Sequence, residues 1–307
     1  METVIAAGQA VLLVLCAPLL QGMIKKIKAL CQGRRGFGIL QPYRDLHRLF
    51  IKDMVVARSA SWIFHAAPYI VFASTVAAAL FVPVIINRGG ALGLGDIIVI
   101  VYTLALGKFF TALAGLDTGT AFGGEGSSRE MTVGLLVEPM MMLAVFTAAV
   151  AAGSTNVALI SVPKSFFLSP ANVLAFVAFY IAVIAETGRI PVDNPDTHLE
   201  LTMIHEGMIL EYSGRYLALI EWSHWIKQIL LLTLAADLFF PYGIAAGAEG
   251  IVFASGAWIL KMLLLGTALA LTESSRVKLR FFKLPALLGG AFVLSLLSLV
   301  TFIVMGK

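Results

Sequence analysis

Apolar runs long enough to cross a lipid bilayer are the feature that most limits how this chain can fold. Eight such runs lie at about residues 4–24, 66–87, 94–114, 131–152, 171–187, 223–243, 251–271 and 284–305, and a spanning helix needs about 20 mostly apolar residues. Of the 307 residues, 59% are hydrophobic and only 13% are charged, with a mean hydropathy of +0.92. The sequence therefore predicts an all-α polytopic membrane protein with about eight transmembrane helices.

The distribution of Lys and Arg predicts how these helices are oriented. Sixteen of the 22 fall in the connections after runs 1, 3, 5 and 7, and only Arg88, Lys164 and Lys307 fall on the opposite side. Because cytoplasmic loops carry the excess of basic residues, we expect both termini to be external and the long loops to be cytoplasmic. The net charge of +4 then reflects the basic residues of the cytoplasmic loops, and a nucleic-acid partner is not predicted.

The spans continue from end to end without a linker or repeat, which indicates a single membrane domain over residues 1–307 with cytoplasmic connections at about 25–65, 115–130, 186–222 and 273–283. The first run has neither a basic start nor a small-residue cleavage site, so we expect an uncleaved span. In the first connection, Leu46, Leu49 and Phe50 share a face at helical spacing. This predicts an amphipathic helix over 41–52, either anchored on lipid headgroups or framing a site beneath it.

The chain offers little for metal or nucleotide binding. Cys16 and Cys31 are its only cysteines and cannot form a four-thiolate cluster. The glycine-rich stretch 115–130 lacks the Gly-Lys-Ser/Thr of a phosphate loop. Ser127 and Glu130 instead have the spacing of a capping box at the start of span 4, after a stretch that is either a tight re-entry loop or a functional surface. We expect no cofactor on this chain.

Charged residues inside the apolar runs are candidates for ion handling, because each is costly in a bilayer. Glu138 lies about two turns into span 4, next to Pro139, so we expect its carboxylate to lie below the water interface, as a proton carrier or as a structural acid. Other charged residues inside the runs could also carry ions or be structural, but the case is weaker because long side chains near span ends can reach the interface. These residues are Lys108, Lys227, Asp237 and Lys261.

Between Glu186 and Glu221 the chain holds seven of its eighteen acids and only two basic residues, Arg189 and Arg215. The sequence Asn194-Pro195-Asp196 predicts the start of a short helix, on which Asp196 and Glu200 would share a face. Neighbouring carboxylates share protons, so the segment is either a proton-handling cluster or a solvated acidic surface. His198 and His205 are not spaced as zinc ligands, and a titrating role for a histidine here is plausible but unspecific.

Three stretches taken together resemble one family. They are Arg34-Arg-Gly-Phe-Gly-Ile-Leu-Gln-Pro-Tyr-Arg-Asp45; Gly115-Leu-Asp-Thr-Gly119 with Ser128-Arg-Glu130 and Leu136-Val-Glu-Pro139; and Ala185-Glu-Thr-Gly-Arg-Ile-Pro-Val-Asp193 with Glu211-Tyr-Ser-Gly214. This pattern resembles the membrane subunit shared by the energy-converting nickel-iron hydrogenases and respiratory complex I, the NADH-quinone oxidoreductase. The second stretch looks like the formate hydrogenlyase and hydrogenase-4 branch.

The resemblance implies a subunit of a prokaryotic inner membrane, without catalytic activity alone, that docks the hydrogenase large and small subunits and joins them to antiporter-like membrane subunits. The nickel-iron centre and iron-sulfur clusters would then sit in those partners. It also implies a proton path through Glu130, Glu138, Glu186, Asp193, Asp196, Glu200 and Glu211, with His198 standing where the family commonly has another acid. The implied pairing or docking residues are Arg34, Arg35, Arg44, Asp45, Arg129, Arg189 and Tyr212.

Two other functions stay open from the sequence. One is the corresponding subunit of a quinone reductase, with a quinone held between the first three cytoplasmic connections. The other is a stand-alone secondary transporter, for which inverted repeats would be expected. Quinone-dependent oxidation by the purified complex would favour the first, and ion transport by the isolated chain would favour the second.

Overall fold

The structure is a computed structural model that describes residues 2–87, 95–162, 169–194, 203–245, 247 and 250–305. Within these residues it contains eleven α-helices and no strand beyond two isolated bridges. The helices are α1 (Glu2–Cys31), α2 (Gln41–Ile51), α3 (Trp62–Leu80), α4 (Ile97–Asp117), α5 (Ala121–Ala152), α6 (Val157–Ile160), α7 (Pro170–Glu186), α8 (His205–Ile209), α9 (Gly214–Phe239), α10 (Ile251–Ser275) and α11 (Leu284–Met305).

Each predicted apolar run coincides with one long helix, and the all-α polytopic membrane fold is confirmed. Six helices are long and apolar enough to cross a membrane, namely α1, α3, α4, α5, α10 and the helix ending at Met305. The other two long helices are α7, which has only 17 residues, and α9, which begins at Gly214 rather than near 223 and carries charged residues. The count of eight spans therefore stays a prediction.

The helices pack through small residues on their facing surfaces. Ala144 and Ala148 of α5 and Ala175, Ala178 and Ala182 of α7 are almost fully buried, where α5, α7 and α11 pack together. Small side chains let helix backbones approach closely, which matters in lipid because burying apolar surface gives no net gain there. The last turns of α9, from Leu230 to Phe239, are buried on every side, so α9 lies at the centre of the bundle.

The predicted loop over 115–130 is helical except for residues 118–120, and the predicted capping box is wrong. Thr120 caps α5, accepting from Gly123 N at 3.3 Å, whereas Ser127 lies inside the helix and donates to Ala112 O and Gly123 O at 2.8 Å. Glycine allows this packing: a Cβ at Gly126 would lie 2.9 Å from Ile204 O. Close approach to the neighbouring backbone outweighs the low helix propensity of the glycines.

The predicted amphipathic helix is confirmed as α2, with Pro42 in its first turn and Leu46 buried. Phe50 meets Trp222 of α9 edge to face, with ring centroids 6.3 Å apart, so α2 is seated on the bundle. The predicted helix start after Asn194 lies outside the described residues, as do Asp196, His198 and Glu200.

Candidate functional site

An ion cluster formed by Lys108, Glu186 and Lys227 joins three helices in the interior. Lys108 of α4 donates to Glu186 Oε1, and Lys227 of α9 donates to Oε2 at 2.6 Å. The side chains of Glu186, Lys108 and Lys227 are 5%, 7% and 13% exposed. The sequence indicated that such lysines could reach the interface, but both point inward, because a buried carboxylate needs a compensating charge.

Local structure explains why this cluster can form. Helix α7 ends at Glu186, and the residues that follow it, including Thr187, Arg189 and Asp193, are themselves buried. Glu186 therefore lies in the interior and not at a water-facing helix end. On the opposite wall, a Cβ at Gly134 would lie 3.2 Å from Lys108 Nζ, so glycine leaves the space that the ammonium group occupies.

Glu138 is linked to this cluster but reaches the outer surface of the bundle. Its Oε1 lies 3.5 Å from Lys108 Nζ, and its side chain is 38% exposed. A cavity also connects it with the cluster, since Glu138, Lys108, Glu186 and Lys227 line the same small void. Glu138 lies within α5 but further from the helix start than expected, because α5 begins at Ala121. Its side chain faces outward as well as inward, and its depth in the membrane stays a prediction.

Two further cavities lie near the Lys108–Glu186–Lys227 cluster, apart from the void that Glu138 lines. The inner cavity, of about 50 Å³, is lined by Lys108, Glu130, Glu186 and Lys227 among others. The upper cavity, of about 80 Å³, is lined by Lys25, Arg189, Asp193 and Glu221 among others. Both volumes are large enough for water. Of the described residues, only His205 and His224 line both cavities.

These two histidines lie side by side with ring centroids 4.7 Å apart and planes inclined at 35°. Burial holds the pKa of His205 below its ordinary value of 6.5, so this imidazole is neutral at pH 7. The sequence had indicated only an unspecific titrating role for His205 and did not single out His224. A signal was present, because His224 is three residues from both Glu221 and Lys227 and shares their helix face.

Both carboxylate oxygens of Asp193, a predicted proton-path residue, accept hydrogen bonds. Its Oδ1 accepts from Lys278 Nζ at 2.6 Å and from Asn194 N at 2.8 Å. Its Oδ2 accepts from Ile204 N at 3.3 Å and from His205 N at 3.1 Å. These four hydrogen bonds fix the orientation of the carboxylate. Asp193 therefore fixes the start of α8 and the position of His205.

Arg189, predicted as a pairing charge, is the centre of a second buried network. Its guanidinium donates to Gln21 Oε1 at 2.5 Å, Gln228 Oε1 at 2.8 Å and Glu273 Oε1 at 3.2 Å. Lys28 Nζ lies 3.3 Å from the other oxygen of Glu273. The sequence did not single out Glu273, which lies in the last turns of α10 and is 84 residues from Arg189 in the chain.

The Glu211-Tyr-Ser-Gly214 motif clamps the first connection onto the bundle. Tyr212 is buried, stacks on Phe64 at 3.9 Å and donates to Phe64 O at 2.9 Å. Gly214 has a φ of +54°, and a Cβ there would lie 2.9 Å from Lys52 O. Tyr212 is thus internal and cannot contact a docking partner directly. Glu211 makes no hydrogen bond or ion pair within the described part of the chain.

An open cleft of about 1060 Å³ lies between the end of α1, the loop before α2 and residues 273–278. Arg34 and Asp45, both predicted for docking, line it, whereas Arg35 and Arg44 are exposed nearby in the sequence. Arg129 lies apart from the cleft lining. It pairs with Glu125, donates to Met203 O at 2.9 Å and lies over the ring of Phe281.

Asp237 and Lys261 are not part of the Lys108–Glu186–Lys227 cluster. Asp237 is 1% exposed near the C-terminal end of α9, and Lys261 lies on the adjacent α10. They interact electrostatically, but no ion pair within 4.0 Å joins them in the described structure. Among those same residues, no three His, Cys, Asp or Glu side chains are arranged to hold a metal ion.

Comparison with known proteins places the chain in a family. Hydrogenase-4 component C of Escherichia coli strain K12 is 38% identical over 282 residues, which is 91% of this chain and 89% of the relative. Formate hydrogenlyase subunit 4 of the same organism is 33% identical over 300 residues, covering 95% and 96%. A chain of the membrane-bound sulfane sulfur reductase, an archaeal respiratory membrane complex, shares the fold, with a TM-score of 0.83, 16% identity and coverage of 97% and 98%. Because the NADH dehydrogenase family also matches residues 4–306, the chain belongs to that family and is homologous to membrane subunits of hydrogenases and respiratory complexes.

Proposed function

We propose that this chain is the membrane-anchor and ion-coupling subunit of a multisubunit membrane-bound nickel-iron hydrogenase complex. It docks the peripheral arm and links the redox chemistry of that arm to movement of protons or sodium ions. The nickel-iron centre and iron-sulfur clusters belong to the partner subunits. The chain lies in the inner membrane of a prokaryote, with both termini on the external side of that membrane and the long loops on the cytoplasmic side. The observation that carries this proposal is the buried carboxylate of Glu186 held between Lys108 and Lys227.

Such a cluster suits energy coupling because its protonation depends on small movements. Glu186 is charged while both ammonium groups lie beside it, and it gains proton affinity if either one moves away. Groups that interact this strongly exchange protons as a unit. A change of charge or position above the cluster is thereby converted into uptake or release of a proton inside the membrane.

The cleft on the cytoplasmic side is the proposed docking surface for the peripheral arm. Its lining is rich in basic residues, which are Lys25, Lys28, Arg34, Arg276 and Lys278. Complementary charge steers association and fixes orientation. The upper cavity begins next to this surface, because Lys25 lines both. An arm seated in the cleft would act close to the entrance of the proton path.

The face that carries Glu138 is the proposed contact for a neighbouring membrane subunit. A partly exposed carboxylate on a spanning helix is costly against lipid, and Leu135 one turn away is 74% exposed. A partner helix packed on this face would shield Glu138 and receive protons from it. This arrangement fits an antiporter-like subunit beside α5.

The direct test uses the whole complex reconstituted in vesicles, with Glu186→Gln and Lys227→Gln combined. The double variant removes one negative and one positive charge, so it keeps the charge balance while removing the shared proton site. We expect hydrogen turnover to persist while proton movement per hydrogen falls about 10-fold or more. Glu125→Gln, an exposed acid on α5, is the matched control. Full coupling in the double variant would refute the role of the cluster.

A second test concerns Glu138 alone. Glu138→Gln keeps the shape of the side chain but cannot carry a proton, so we expect normal assembly with reduced proton movement. Unchanged hydrogen turnover together with unchanged coupling would exclude Glu138 from the path.

One observation favours the quinone alternative. The cleft includes residues of the first and third connections, where a quinone was expected, but of the fourth connection in place of the second. Its volume of about 1060 Å³ would accommodate a lipid-soluble quinone. Its many charged lining residues favour a protein surface instead. Quinone-dependent oxidation by the purified complex, lost on substitution of cleft residues, would decide for the quinone reductase.

A further inference from the structure

Two histidines, His205 and His224, lie where the upper cavity meets the inner cavity, and the proposed function assigns them no role. His205 begins α8 and His224 lies in the third turn of α9. Both residues line both cavities, so the pair lies between the cavity next to the docking cleft and the cavity next to the buried cluster. Any proton passing from one cavity to the other along this route must pass these two rings.

We propose that His205 and His224 form a two-histidine proton relay between the upper cavity and the inner cavity, in which Glu130 and Glu186 are the receiving acids. This inference rests on the proposed ion-coupling function and identifies the group through which protons enter the cluster. Glu130 supports it, because it faces the inner cavity and has no hydrogen bond or ion pair within the described residues.

In the relay step, one imidazole ring accepts one proton and releases one proton, so the ring ends the step with its original charge. A neutral imidazole accepts a proton from the upper cavity on its bare nitrogen and becomes an imidazolium. It then releases the proton of its other nitrogen into the inner cavity, which leaves a neutral ring in the opposite tautomer. Rotation of the ring restores the starting tautomer. The neutral state of His205 at pH 7, which follows from its lowered pKa, provides the bare nitrogen that this step requires.

The surroundings allow only one added proton, and therefore one positive charge, on the pair at a time. Two imidazolium rings with centroids 4.7 Å apart would repel each other strongly. The charged or titratable side chains that line the two cavities with them are Lys25 from α1, Lys108 from α4, Glu130 from α5, Glu186, Arg189 and Asp193 from α7 and the segment after it, Glu206 from α8, and Glu221 and Lys227 from α9. Because side chains of both signs surround the two rings, a single positive charge on the pair is favoured, and its proton then passes to the next group.

The position of the pair is set by a chain of contacts from outside it. Asp193 Oδ2 accepts from the backbone N of His205, while Lys278 holds Asp193 Oδ1. Asp193 and Lys278 are thus positioning residues for His205. They tie the relay to the segment after α10 that also lines the docking cleft, so a partner seated in the cleft can influence where the imidazole of His205 lies.

The test is chemical rescue in the reconstituted whole complex. His205→Ala and His224→Ala are each compared with wild type and with His65→Ala, a control at an exposed histidine. We expect both relay variants to assemble and to lose proton movement per hydrogen by about 10-fold or more, while the control keeps it. Added imidazole should restore proton movement, and pyrazole, which has the same shape but is a far weaker base, should not.

The outcomes separate the two proposals. If wild-type vesicles show no proton movement coupled to hydrogen turnover, the proposed function fails and the relay with it. If wild type is coupled and both variants remain fully coupled, only the relay is refuted. Equal rescue by imidazole and pyrazole would also refute it, because filling a space would then be enough. If either alanine variant does not assemble, the same histidine replaced by Gln keeps the volume, and full coupling in that variant would overturn the relay.

Discussion

Two buried groups of charge lie close together in the chain and differ in the chemistry of their members. Glu186 ends α7 between two lysines, and Arg189, three residues later, binds Gln21, Gln228 and Glu273. A guanidinium does not lose its proton in proteins, and amide oxygens have none to exchange. Lysine and glutamate both titrate when buried. We therefore propose that the first group, made only of titratable side chains, moves protons, while the second, centred on a guanidinium, holds the helices together.

This difference separates buried charges that hold helices together from those for which we propose a role in coupling. Arg189 joins α1, α9 and α10 to the segment after α7, with acceptors arranged around one rigid fork. Glu186 joins α4 and α9 through two flexible lysine side chains. The sequence motif from Ala185 to Asp193 thus contains both the centre of the Arg189 network and the carboxylate of the proposed proton-handling cluster.

The largest effect on stability is expected for Arg189→Met. Removing the guanidinium leaves the buried carboxylate of Glu273 with only Lys28, and breaking a buried pair costs about 3–5 kcal/mol. We expect a much reduced yield of assembled complex, measured by size-exclusion chromatography and thermal unfolding. The exposed Arg215, changed to Met, is the control. A stable, assembled Arg189→Met complex would show that the Arg189 network does not hold the helices together.

A smaller loss of stability is expected for Glu186→Gln. This change also leaves buried positive charge, but a lysine can release its proton where an arginine cannot, so we expect a cost of about 1–3 kcal/mol. The comparison of the two variants in one thermal unfolding series checks this. If Glu186→Gln is at least as destabilising as Arg189→Met, the lysines are not free to titrate.

Lys278→Met should reduce proton movement without breaking the fold. The lysine is partly exposed, but its bond to Asp193 fixes the backbone of His205, and a hydrogen bond to a charged group contributes about 1.5–3 kcal/mol. Because Lys278 also lines the docking cleft, arm binding is measured in the same samples, and we expect proton movement per hydrogen turned over to fall several-fold. Lys283→Met, in the same basic connection, provides the control. Coupling equal to that of the control would show that Asp193 holds His205 unaided.

The smallest effect is expected for Tyr212→Phe. The variant keeps the stack on Phe64 and loses the hydrogen bond to Phe64 O, which is worth about 1 kcal/mol. Hydrogen turnover and coupling should both be unchanged, with a small decrease in thermal stability. A selective loss of arm binding would instead return Tyr212 to the docking surface, where the sequence had placed it.

Much of the fold could be predicted because its causes are local. Helices α10 and α11 begin at or next to the predicted residues 251 and 284, since an unbroken apolar run specifies a helix wherever backbone groups must bond internally. Helix α9 was predicted to start late, because the charged residues Arg215 and Glu221 precede the apolar run. The early start of α5 was missed because glycine weakens a helix in isolation and strengthens it only against a neighbouring backbone.

The sequence by itself determined that this chain is an all-α membrane protein and which segments hold its candidate acids, because hydropathy and motif spacing are properties of neighbouring residues. Only the tertiary structure decided which charges meet. Lys108 and Glu186 are 78 residues apart, and Glu186 and Lys227 are 41 apart. The junction of His205 with His224 likewise requires α8 to be held against α9. Such contacts depend on helix packing, which brings distant side chains into one low-dielectric space where their charges act on each other.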